Sequence, residues 1–159
     1  MVLRRPPTIT NEHDELRLFV RTMAAFWDLR FPGPVSMAAS LENVLSASAR
    51  AGRRIPISGL RDAAHDMVVR SRQVSAGVIR EADAYCKEHG AVTLSTMIER
   101  VADAVSRIVA TERIATDAEF YIIRDILADT TDKRLVGTAR RAAERLVNDY
   151  EQQSRKAKA

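Results

Sequence analysis

Residues 58–90 read SGLRDAAHDMVVRSRQVSAGVIREADAYCKEHG, and the spacing of apolar residues in this stretch decides the fold class. Leu60, Ala64, Met67, Ser71, Val74, Val78 and Tyr85 fall at alternating steps of four and three, the rhythm that keeps one face of a helix turned toward a neighbour. The rhythm lapses at Glu81, where Ala82 can substitute. A strand needs a period of two, and no part of the chain sustains one. The spacing predicts one long helix from Ser58, whose hydroxyl is placed to cap free amides, to His89, with Gly90 as its terminator. After Ala91, Val92 and Thr93 the rhythm resumes at Leu94, Ile98, Val101, Val105 and Ile108, predicting a second helix to about Arg113. A link that short joins antiparallel neighbours.

Working outward from this hairpin, the rest of the chain is also read as helix. All five prolines (Pro6, Pro7, Pro32, Pro34 and Pro56) precede residue 57, and no Asn-Gly or Asp-Gly hairpin turn occurs. A first helix is expected from about Thr10, with Leu16, Phe19, Val20, Met23, Phe26 and Trp27 as its apolar stripe and Phe31-Pro32-Gly33-Pro34 as its stop. A second, from about Ser36 to Ala51, is weakly apolar and ends at Gly52. Thr116-Asp117-Ala118-Glu119 forms a capping box that opens a short helix rich in apolar residues, expected at the centre of the core. A last helix, from about Thr131 to Gln153, carries Leu135, Ala139, Ala142, Leu146 and Tyr150 inward. The expected architecture is an all-α, single-domain bundle of about six helices on an antiparallel hairpin. Its helical domain spans residues 10–153, flanked by a disordered arm over 1–9 and a disordered basic tail over 154–159.

With 159 residues, 46% apolar and 29% charged, the chain can bury a core of its own and has no apolar run of the ~20 residues that span a membrane. The start MVLRRPP runs into polar TITNEHDE, unlike a secretory signal, and the lone Cys86 cannot close an internal disulfide. A reducing cytoplasm is the expected setting, with no membrane association.

The net charge of +4 is unevenly spread. Residues 1–49 are balanced, 50–80 carry +5, 81–132 carry −6, and 133–159 carry +5. An acidic block between two basic ones can be neutralised by packing. The alternative is a polyanion footprint, for which Arg50, Arg53, Arg54 and Arg61, clustered at a connector and a helix start, are the candidates for anion or nucleic-acid contact. The connector is too long for a helix-turn-helix and contains Pro56. Arg outnumbers Lys 21 to 4, but 24 alanines accompany it. Both residues have GC-rich codons, so the bias carries no functional weight.

Chemistry-bearing side chains are sparse. Asp62, His65 and Asp66 share one helical turn and form a weak polar-site candidate. Carboxylate and imidazole at this spacing suit a di-iron bundle, but the second pair and the extra carboxylates are missing. The plainer reading is a partly buried neutral His65 oriented by Asp62. Asp83, Cys86 and His89 fan out around the helix; Cys86 reads as a small buried hydrophobe and His89 as a partner of the negative helix end. Ala64-His65-Asp66-Met67 also resembles the phosphoacceptor helix of two-component histidine kinases and phosphotransfer proteins. The kinase pattern continues with Arg or Asn and then Pro, where Val68, Val69 and Arg70 stand here, and the Lys-Gly of phosphotransfer domains is absent. No Walker loop, Gly-x-Gly-x-x-Gly, Gly-x-Ser-x-Gly or His-Glu-x-x-His occurs.

These observations point to a protein without catalytic residues, metal or organic cofactor. The sequence-based expectation is a regulatory or adaptor-like interaction protein acting through partner binding and self-association. Nucleic-acid binding and phosphotransfer through His65 are the alternatives. A homodimer is expected because a helix from Gly59 to His89 would run about 45 Å, longer than the roughly 40 Å diameter of a globule this size. Either it kinks, at Gly77, or a second chain covers its face.

Overall fold

The structure, a computed structural model, describes residues 11–158. The described residues form seven α-helices and no strand, an all-α fold. They fall into two compact units divided between Ile98 and Glu99. The arm expected over residues 1–9 and the Thr10 cap lie outside the described residues. No helix among those described is long and apolar enough to cross a membrane.

The first unit is built around α1 (Glu12–Arg30). Asn11 caps it, its side chain accepting from the Asp14 amide at 3.0 Å, and Glu12, Asp14 and Glu15 lie at the positive end of the helix. The expected stripe is buried: Phe19 and Met23 are fully enclosed, and Leu16, Val20, Phe26 and Trp27 nearly so. α1 packs against α2 (Met37–Arg50), α3 (Ile57–Ser71) and α4 (Ala76–Glu88). Neighbours on three sides explain why it buries Thr22 and Ala24 outside a single stripe. α2 buries only Leu45 and ends as expected: Gly52 has φ +65°, and the Arg53 amide reaches back to the Ser48 carbonyl at 2.9 Å.

The long helix expected from Ser58 to His89 is two helices. The amides of Arg72, Gln73 and Val74 bond three residues back, tightening the end of α3, and Ser75 turns extended. The Ser75 hydroxyl then caps α4 by accepting from the Val78 amide. The interruption is not at Gly77, which sits inside the first turn of α4. A serine with three free amides ahead of it outcompetes continuation of a heptad that goes on through Val74 and Val78 only to lapse at the polar Glu81. α3 also begins earlier than expected, with Pro56 as its cap residue and no side-chain cap. The break lets α3 contribute Leu60, Ala64, Met67 and Val68 to the core, and α4 contribute Val78, Ala82 and Cys86.

α5 (Leu94–Thr111) begins in the first unit, with Leu94 fully buried, and continues into the second. Its start is fixed by the Thr93 hydroxyl, which accepts from the Thr96 amide, and by Asp83, which accepts from the Ser95 amide at 2.9 Å.

The second unit holds the remainder of α5 with α6 (Asp117–Ala128) and α7 (Gly137–Lys158). Val105, Ile108, Ile114, Phe120, Ile123, Ile126, Leu135 and Ala143 form its core. The capping box forms with one shift. Thr116 accepts from the Glu119 amide, but the Glu119 carboxylate takes the Ala115 amide, at 2.7 Å, and also meets Arg107. α7 begins at Gly137, not Thr131, because Asp129 and Asp132 bond local amides and hold residues 129–134 in turns. It ends later than expected: residues 154–158 are helical, not a disordered tail. Arg, Lys, Ala and Gln are strong helix formers, and nothing in Ser154-Arg155-Lys156-Ala157 terminates the helix.

Candidate binding surface

The sequence-predicted candidates do not assemble into a reactive centre. Arg61 donates to Glu12 through both Nε, at 2.8 Å, and Nη2, at 2.9 Å. That bond raises the guanidinium's already high pKa further. Arg54 lies 3.6 Å from Asp14. The acidic start of α1 thus takes up two of the four arginines. Arg50 bonds the Ser46 carbonyl within its own helix, and Arg53 is exposed.

His65 is buried, at 8% exposure, whereas Asp62 and Asp66 lie on the exposed side of the same helix. A phosphoacceptor imidazole has to meet its partner's active site, and this ring is enclosed. Asp83 is spent on α5, and His89 donates from Nδ1 to the Tyr85 carbonyl while stacking on its ring. Cys86 is fully buried beside Met23, with 3.6 Å between sulfurs. Burial, and secondarily the Asp83 charge, pushes its thiol up to about 11, which disfavours the reactive thiolate. Among the described residues no three His, Cys, Asp or Glu side chains are arranged to hold a metal ion.

The surface with the most distinctive chemistry was not among those candidates. At the turn between α1 and α2, Leu29, Phe31 and Val35 are 71%, 50% and 74% exposed. Phe31 and Val35 border an open depression of about 410 Å³ lined also by Trp27, Met37 and Val74, with Asp28, Arg70 and Gln73 as its polar members. The turn is held by Asp28, whose carboxylate accepts from the Met37 amide, the Ala38 amide and the Ser36 hydroxyl. These three donors, the Ala38 amide foremost, hold Asp28 below the usual carboxylate range. Its acceptor capacity is therefore taken up within the turn, and it stays an anion.

Arg70, across the depression, has no carboxylate within ion-pair distance among the described residues. The Trp27 ring packs between Phe26 and Phe31, and its indole N–H is buried with no acceptor among the described residues. Arg30 lies 5.2 Å over the exposed Phe31 ring. The result is an apolar patch edged by the Arg70 cation, which has no ion-pair partner among the described residues, and by the Asp28 anion held in its own turn, with an unmatched indole donor beneath. Such a surface suits an apolar group carrying a carboxylate or carbonyl. The signal in the sequence was available: Leu29 and Phe31 are apolar residues beyond the end of the α1 stripe, and Asp28 stands eight residues before Ser36. No protein-family model, curated protein or solved structure matches the chain, so the surface is interpreted from its own geometry.

Proposed function

We propose that the protein is a helical interaction module whose first unit receives an apolar, carboxylate-bearing segment of a partner protein at the depression beside Trp27. The observation that carries this reading is the exposure of Phe31 and Val35 where they line that depression beside Trp27, Met37 and Val74. Two large apolar side chains exposed on one short turn are costly to leave in water at ~25 cal/mol per Å², and a partner that covers them recovers that cost. Arg70 supplies the charge preference, because it has no ion-pair partner among the described residues, whereas the Asp28 carboxylate has its oxygens taken by three donors of its own turn. The Arg50–Arg61 surface is a weaker candidate, because Glu12 and Asp14 compete for its cations.

Self-association is part of the same proposal. The length mismatch that predicted a dimer does not arise: among the described residues the longest helix is α7, whose 22 residues give about 33 Å at ~1.5 Å per residue. The exposed Phe31 and Val35 give a new and local reason for two copies to meet.

The test is a peptide-display selection against the whole chain, followed by titration of the chosen peptides with Trp27, the single tryptophan, as fluorophore. Selected peptides should place a Leu or Phe near an Asp or Glu, shift the Trp27 emission, and lose at least about tenfold in affinity (~1.4 kcal/mol) to Arg70→Glu. Selection of basic peptides, or binding that survives Arg70→Glu and Val35→Ser, would overturn the reading. Light scattering decides between occupants: a dimer abolished by Val35→Ser assigns the patch to a second copy of the chain.

A further inference from the structure

The outward face of α7 carries a second, chemically different surface. Arg141, Arg145, Asn148, Gln152 and Arg155 recur at steps of four and three along this helix, with Lys156 beside Arg155. At ~3.6 residues per turn they share one face. All six are exposed. None of the four cations has a carboxylate within ion-pair distance among the described residues. The acids of the helix lie to either side: Glu144, which pairs with Arg140 at 3.3 Å, and Glu151 on one flank, Asp149 on the other. From Arg141 to Arg155 the stripe spans about 21 Å.

We infer that this face binds the phosphate backbone of a nucleic-acid duplex without reading its sequence. Four exposed cations carried along one face of a single helix match a polyanion that carries a charge every ~1.7 Å of its axis. The residues between them, Asn148 and Gln152, are hydrogen-bond donors suited to phosphate oxygens. No aromatic residue lies on the face, so it offers no platform on which unpaired bases could stack. The apolar side of the same helix is occupied, with Ala143 buried and Leu146, Val147 and Tyr150 packed on the unit's core. It therefore has nothing to insert into a bilayer, as an interfacial membrane helix must. The basic block at residues 50–80 differs on the decisive point, since Arg54 and Arg61 face the carboxylates of α1.

The test is fluorescence anisotropy of a labelled DNA duplex, and of the equivalent RNA duplex, each about 20 base pairs long, with the full chain at two salt concentrations. Three to four phosphate contacts should weaken binding roughly 40- to 150-fold between 50 and 200 mM salt. Arg141→Glu/Arg145→Glu should lower low-salt affinity at least about tenfold and reduce the salt slope by about two contacts. Arg141→Lys/Arg145→Lys should retain binding, and Arg53→Glu/Arg54→Glu and Arg70→Glu should leave it unchanged. Circular dichroism should be the same for all, because every substituted side chain is exposed. No low-salt binding by the native chain, insensitivity to Arg141→Glu/Arg145→Glu, loss with Arg53→Glu/Arg54→Glu, or tighter binding to phosphatidylserine vesicles than to either duplex would each overturn the inference.

Discussion

Asp28 organises the surface on which the proposed function rests while lying outside the buried set. Its three accepted hydrogen bonds depend on ionisation, so the carboxylate's folded pKa lies below its unfolded value of ~3.9. A lowered acid contributes stability above the unfolded pKa and loses it as pH falls through the folded one. Asp28→Asn should accordingly remove part of the acid-induced loss of stability below about pH 4, and amide exchange at Met37 and Ala38 should rise at neutral pH. Cys86 has the opposite sign. Its thiol is held up to about 11 from a reference of 9.0, so its contribution is complete below pH 9 and fades as pH rises toward 11. Thiol-specific reagents should leave the native protein untouched at pH 8 and react on unfolding, and Cys86→Ala should flatten the alkaline limb of the stability curve. The burial of Cys86 was legible from its residue type, whereas the role of Asp28 was not. Its partners lie eight to ten residues away across a Pro-Gly-Pro turn, and no local periodicity connects the two.

At the level of elements, the decisive difference between expectation and structure is the break between α3 and α4. The sequence signal was a heptad rhythm, and both halves keep it; Leu60, Ala64, Met67, Val78 and Ala82 are all buried. Periodicity is silent about continuity, because two helices packed on the same partner preserve the same buried residues as one. The signal for the interruption was Ser75, an N-cap residue in the middle of a helical pattern, which the rhythm overshadowed. Two substitutions separate a capped break from a kink at Gly77. Ser75→Ala should destabilise by ~1 kcal/mol if the hydroxyl caps α4, whereas in a continuous helix alanine would be the better residue. Gly77→Ala should stabilise by ~0.5–1 kcal/mol. Its backbone needs no positive φ, and a Cβ there would meet only ordinary contacts, at 3.5 Å from Ser75 Oγ and 3.8 Å from Arg80. Midpoints of chemical denaturation check both signs. The capping box at Thr116 was legible because its chemistry is complete within four residues, and only the reach of Glu119 to Ala115 departed from the pattern.

Over the whole molecule the sequence read as one domain because length and composition bound the size of a core without saying how many cores form. The structure gathers its contacts in two units. The apolar cluster of the second, from Val105 to Ala143, draws on α5, α6, α7 and their connections alone. This has an energetic consequence that differs from that of a single bundle. In a single cooperative bundle, a cavity anywhere lowers the free energy of the one global unfolding that exposes the core of every helix. With two cores, a cavity in one should lower the opening free energy of its own helices first, because cooperative units tend to coincide with such local assemblies. Ile123 is fully buried in the second unit and Met23 in the first, and truncation of either to alanine should cost ~2–5 kcal/mol. Ile123→Ala is expected to accelerate hydrogen exchange across α6 and α7 while leaving the middle of α1 at its native rate, and Met23→Ala to do the reverse. Peptide-resolved exchange by mass spectrometry reads both. A uniform increase in either variant would show that α5, which continues across the boundary, couples the two cores into one cooperative fold.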